Sequence, residues 1–143
     1  MSKESILALV TAIVWGVAPA LEKAGLNGRI DPFTAVVVRT IPIVIFAAVG
    51  MLLVGKVSNL SNIDLRSAAF VAGGGIFAGF IGQFAFYSAL KTGQASVIVP
   101  MAATYPLFAL IISIVFLGET ITWQKAAGAC LVVGGVMLLS RAQ

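Results

Sequence analysis

Two stretches of this 143-residue chain, 67–90 and 95–117, contain no charged residue. Each is at least as long as the roughly 20 apolar residues that carry a helix through a bilayer. In lipid every backbone N–H and C=O must be satisfied within the structure, so only helices and closed barrels span. A barrel strand needs about 10 residues of alternating character, and these runs are longer, predominantly apolar and without such alternation. The composition agrees with a membrane solvent: 60% of residues are hydrophobic and 10% charged, against roughly 45–50% and about 25% in soluble domains. The fold class expected is therefore all-α integral membrane.

The charges divide the chain into five apolar segments, 6–21, 33–54, 67–90, 95–117 and 121–139. The first is short and reaches across if Glu22 and Lys23 sit among headgroups. The second contains Arg39. The last is long enough if Lys125 snorkels outward beside an interfacial Trp123. Between segments, Gly25, Asn27, Gly28 and Pro32 supply turn chemistry, as do the two Asn and three charges of "GKVSNLSNIDLR". No linker, low-complexity tract or internal repeat stands out, which predicts a single transmembrane domain over 1–143 with five helices. Lys3, the apolar run after it and "APA" at 18–20 also resemble a signal peptide. Pro19 and the following Glu22 and Lys23 fit a helix end, and the segment is read as retained.

Several chemistries lack residues. The chain has no histidine and one cysteine, Cys130, which precludes an intramolecular disulfide and reads as small apolar packing. Without paired acids in the spans, neither a metal site nor acid–base catalysis has obvious groups. No cofactor and no enzymatic activity are expected. The nine basic against five acidic residues are spread over loops and form no nucleic-acid stripe; they suit anionic headgroups of the lipid bilayer.

Polar residues inside the spans are few, and each has two readings. Pro100 and Pro106 interrupt the fourth segment, freeing the carbonyls of Ser96 and Ala102. They are either plain kinks or bow the helix around a cavity, with Thr104 and Tyr105 between them as lining, a recurrent use of broken helices in transporters. Thr11, Trp15, Ala18 and Glu22 share one face of the first helix; Trp15 is pocket wall or packing, and Glu22 an interfacial group or a gate. In the third segment Gly73, Gly74, Gly75, Gly79 and Gly82 allow close approach of another backbone. Gln83 and Tyr87 follow at i, i+4 and either tie helices together or bind solute. Arg39 lies eight residues after Asp31, about 12 Å along a helix. A Glu22–Arg39 pair is geometrically accessible, as a staple or as a substrate or gating contact. With no deeply buried acid, neutral or zwitterionic solutes suit such a pocket better than multivalent cations.

The motifs "AIVWG" and "EKAG" in the first helix, the early Arg39, "FAFYSALKTGQASVIVP" and the closing "YPLFALIISIVFLGETITWQKAAGACLVVGGVMLL" resemble one unit of the EamA type of the drug/metabolite transporter superfamily, over residues 7–139. The resemblance implies a multi-pass protein of a prokaryotic inner membrane that moves a small-molecule solute, most simply as an exporter, by alternating access. A non-transporting membrane scaffold or partner subunit is the alternative. "LGET" is a family marker by this resemblance, and Glu119 within it has a structural role beside the next helix N-terminus. Most relatives carry two units in ten helices, the second inverted. A lone five-helix unit achieves inversion by inserting both ways. Its loop cations number four on each side: Lys3, Lys56, Arg66 and Lys125 against Lys23, Arg29, Lys91 and Arg141. This balance permits an antiparallel homodimer packed through the small residues Gly128, Cys130, Gly134 and Gly135 of the last helix; a parallel dimer, or a heterodimer with an oppositely oriented sister chain, is the competing arrangement.

Overall fold

The structure, a computed structural model, describes residues 2–141; residues 1, 142 and 143 of the expected domain lie outside them. Its helices are α1 (Lys3–Leu26), α2 (Pro32–Leu53), α3 (Leu65–Gly75), α4 (Gly82–Thr92), α5 (Ala95–Ala102), α6 (Tyr105–Leu117) and α7 (Trp123–Ser140). A 3-10 helix (Val57–Asn62) follows α2, and a π-helical turn (Ile76–Ile81) joins α3 to α4. Five segments are long and apolar enough to cross a membrane: Lys3–Leu26, Pro32–Leu53, Leu65–Thr92, Ala95–Leu117 and Trp123–Ser140. The five-helix, all-α reading holds. The chain divides into two compact units, one ending at Thr92 and one beginning at Gly93.

Local chemistry sets the helix ends. Asp31 and Asp64 cap α2 and α3, accepting from the amides of Thr34 and Ser67 at 3.0 Å each. Hydrogen bonds from those same residues, side chain and backbone, hold both carboxyls below their ordinary value. Pro32 stands in the first turn of α2, where its missing N–H costs nothing. α6 ends at Gly118, whose φ of 66° is left-handed and suits a residue without Cβ. The glycine of "LGET" thus serves a helix stop, and Glu119 pairs at the surface with Lys125 at 3.4 Å.

Two expected boundaries change. The first helix runs past the apolar boundary at residue 21, through Glu22 and Lys23 to Leu26, and both side chains find partners on neighbouring helices. The two prolines of the fourth segment also differ in effect. Pro100 is kept inside α5, as Pro19 is in α1 and Pro42 in α2. Pro106 stands in the first turn of α6. The helix breaks between them, where the Ala103 amide bonds the Val99 carbonyl and the Thr104 amide turns back to Met101 at 3.2 Å. The fourth segment is therefore interrupted once, between Ala102 and Tyr105.

The third segment contains a feature that its glycine run did not reveal. The Gly82 amide bonds the Phe77 carbonyl, five residues back, so the helix widens by one residue there. A Cβ on Gly82 would stand 3.0 Å from that carbonyl oxygen, whereas one on Gly73, Gly74, Gly75 or Gly79 would meet nothing within 4 Å. Close backbone approach at those four glycines, expected from sequence, is not seen among the described residues.

In the first unit α4 packs against α1 and α2. Its buried side chains are Leu26, Val36, Tyr87 and Leu90, and Phe33 meets Phe80 edge-on with ring centroids 5.9 Å apart. In the second unit α7 packs on α5. Most other large apolar residues are exposed, as helices solvated by lipid require.

Candidate functional site

Three polar side chains of the first unit gather on one carboxylate oxygen. Glu22 lies one helical turn before the end of α1, and its Oε1 accepts from the Tyr87 hydroxyl at 2.9 Å and from Gln83 Nε2 at 3.4 Å. The same atom pairs with Arg39 Nε at 3.3 Å. Gln83 and Tyr87 stand one turn apart on α4, so one face of that helix presents both donors. The pair predicted from spacing, Glu22 with Arg39, and the pair predicted from periodicity, Gln83 with Tyr87, form a single cluster.

Burial around the cluster is graded. Tyr87 is 3% exposed, and the side chains of Glu22 and Arg39 are 15% and 36% exposed. Leu26, Val36 and Leu90 stand one turn from Glu22, Arg39 and Tyr87 respectively, so apolar side chains shield each member. A carboxylate at this depth is tolerated because a guanidinium and two neutral donors face it. Among the described residues no donor reaches Glu22 Oε2, and no acceptor engages the terminal nitrogens of Arg39. The cluster therefore presents one free acceptor and one free guanidinium edge.

One participant escaped the sequence reading. Lys23, expected among headgroups at the helix end, donates from Nζ to the Leu90 carbonyl at 2.6 Å and to the Lys91 carbonyl at 3.3 Å. These are last-turn carbonyls of α4, which lack intrahelical partners. The available signal was weak: a lysine adjacent to an intramembrane acid, both near a helix end.

The remaining expected lining residues are not part of this cluster. Trp15, two turns before Glu22, is 63% exposed. Thr104 and Tyr105 belong to the second unit, at the break between α5 and α6. The Thr104 hydroxyl donates to the Met101 carbonyl at 2.8 Å, and Tyr105 is 58% exposed. A separate apolar groove of about 420 Å³ runs along α2 beside Val37, Ile41, Val44 and Phe80. Among the described residues no group of acidic, cysteine or histidine side chains is placed to hold a metal ion.

Known proteins supply the context for this geometry. Residues 2–141 match the EamA-like transporter family. An uncharacterized protein of Methanocaldococcus jannaschii is 28% identical over 98% of each chain. A Sinorhizobium protein named an uncharacterized transporter in the cobO 3′ region is 26% identical over 93% of each. An uncharacterized transporter of Archaeoglobus fulgidus is 26% identical over 95% of this chain, which spans 48% of that longer relative. No solved structure matches. With a family match across nearly the whole chain and five helices fit to span a bilayer, the protein is a multi-pass membrane member of the EamA-like transporter family, within the drug/metabolite transporter superfamily.

Proposed function

We propose that the chain moves a small, neutral or zwitterionic organic solute, by alternating access in a dimer of five-helix units, with export as its direction. The observation that carries this reading is the Glu22 cluster. Its four side chains come from three helices, carry no net charge when Glu22 and Arg39 are both ionised, and keep Glu22 Oε2 and the outer edge of Arg39 open. Such an arrangement complements a solute with adjacent cationic and anionic groups, or with a hydroxyl or amide at one end. Arg39 approaches Glu22 Oε1 through Nε at 3.3 Å, on the same oxygen that accepts from Tyr87 and Gln83.

Gln83 and Tyr87 serve in this proposal as substrate-binding donors, Glu22 and Arg39 as the gate or ion pair, and Trp15 as an aromatic wall further along α1. Thr104 and Tyr105 contribute polar atoms where Pro100 and Pro106 disturb the fourth span. The dimer is an antiparallel homodimer through α7, on which Gly128, Gly134 and Gly135 are open to a partner. The scaffold reading keeps the same cluster and gives it only the task of tying three helices together.

The test is flux. Reconstituted protein is assayed with a panel of radiolabelled neutral and zwitterionic metabolites. Saturable flux of at least one of them is expected, falling tenfold or more in Glu22→Gln and in Arg39→Gln. Protein that is folded yet moves none of the panel, and co-purifies with another membrane protein, would favour the scaffold.

A further inference from the structure

We propose that Lys23 is a gate residue: its ammonium, seated on the last-turn carbonyls of α4, holds shut the membrane face at which α1 ends, and its release opens the Glu22 cluster to water from that face. The inference deepens the transport reading, since a gate needs a site to guard.

Consecutive residues of α1 grip α4 in opposite chemical senses. Glu22 accepts from side chains of α4, and Lys23 donates to its terminal carbonyls at 2.6 and 3.3 Å. The grip coincides with the sealed end of the unit. Leu26 is 2% exposed and Leu90 fully enclosed, whereas α1 before Val17 and α2 beyond Pro42 bury no side chain among the described residues. The helices therefore meet tightly at the face where α1 ends and make little contact elsewhere.

A cation near a helix C-terminus is commonly explained by the helix dipole. That explanation is insufficient here, because α4 already carries Lys91 in its own last turn. What Lys23 adds is a bond between two helices. The bond is also suited to opening. Terminal carbonyls and an ammonium both accept water as a replacement partner, so hydrating the mouth exchanges partners rather than stranding a charge. Opening also exposes the buried Leu26 and Leu90 side chains, an apolar cost that keeps the closed form favoured at rest. The deeper Glu22–Arg39 pair lacks this freedom, because each ion there would need a new counter-charge.

The test reads the mouth with no solute present, so the gate and the transport reading fail independently. In a Cys130→Ser background, Gln83→Cys reports on the cluster and Leu9→Cys on the far part of α1. Labelling by a charged, water-soluble methanethiosulfonate is timed in proteoliposomes permeabilised so that both faces are reached. Lys23→Met is expected to speed labelling at residue 83 tenfold or more and leave residue 9 unchanged. Lys23→Arg, which keeps donors for the carbonyls, is expected to restore the slow rate. An unchanged rate at residue 83 in Lys23→Met overturns the proposal. So does equal acceleration at both reporters, which is general loosening, or a failure of Lys23→Arg to restore the rate.

Discussion

At the scale of single residues, the cluster rests on the difference between removing one ion and removing two. Stranding a partly buried charge costs more than its pairing contributes, since the partner keeps its desolvation penalty and loses its compensation. Arg39→Met alone, or Glu22→Gln alone, is therefore expected to destabilise the protein by about 2 kcal/mol. This is below the range for fully buried pairs because the Arg39 side chain is 36% exposed. The double variant is expected to lose clearly less than the sum, with a coupling of about 1 kcal/mol or more. Reversible unfolding from mixed micelles by added dodecyl sulfate measures it, and strict additivity would show that the two side chains do not act as a pair. Much of this cluster was legible in the sequence. Spacing placed Glu22 and Arg39 at one membrane face, and an i, i+4 period placed Gln83 and Tyr87 on one side of α4. Their convergence on a single oxygen was not legible, because a sequence gives the phase of residues within a helix but not the azimuth of one helix against another. Lys23 was missed for the same reason, since its partners are backbone carbonyls that carry no sequence signature.

At the scale of elements, apolar length fixed all five spans to within a few residues at most ends, while the irregularities inside them were only half visible. Prolines announce themselves, but not whether the helix continues through them. Pro19, Pro42 and Pro100 are absorbed, and Pro106 starts a new helix. The π turn has no such marker, and among the five glycines of the third span only Gly82 has a contact that demands it. A matched pair of substitutions separates these roles. Gly74→Ala enters open space within α3 and is expected to stabilise the span by up to about 1 kcal/mol, the usual helical advantage of alanine over glycine. Gly82→Ala enjoys the same advantage but places its Cβ 3.0 Å from the Phe77 carbonyl oxygen. It is expected to be neutral or destabilising, and to slow thiol labelling of neither α3 nor α4 residues. The unfolding titration checks the sign at both sites. If Gly82→Ala stabilises as much as Gly74→Ala, the π turn imposes no requirement for glycine.

At the scale of the whole molecule, orientation is the outstanding physical question, and the charges frame it. Four Lys or Arg side chains flank the membrane on each side when Arg39 is left out as a residue within a span, so the usual cytoplasmic excess of cations provides no bias. Pairing does not restore one. Lys125 has an acidic partner in Glu119, yet acids contribute little to the rule, and Lys23, though turned onto α4, remains a cation at the helix end. The chain is therefore expected to insert both ways in roughly equal amounts, and two additions should unbalance it. Asn59→Lys with Ser61→Lys adds cations to the loop after α2, and Asn27→Lys with Thr92→Lys adds them to the opposite face. Each version is expected to adopt one orientation, read by a carboxyl-terminal tag fused to reporters active on opposite sides of the membrane. The assembly then follows from α7. Its 18 residues run about 27 Å, so in an antiparallel pair the start of one α7 lies against the end of the other, and Gln124→Cys in one copy should cross-link to Leu139→Cys in its partner. In a parallel pair Gln124→Cys would cross-link to itself. The two oppositely biased versions, expressed together, are expected to give the 124–139 cross-link in full yield, and either version alone to give almost none. A strong 124–124 cross-link from one biased version alone, with transport intact, would establish a parallel dimer and end the antiparallel reading.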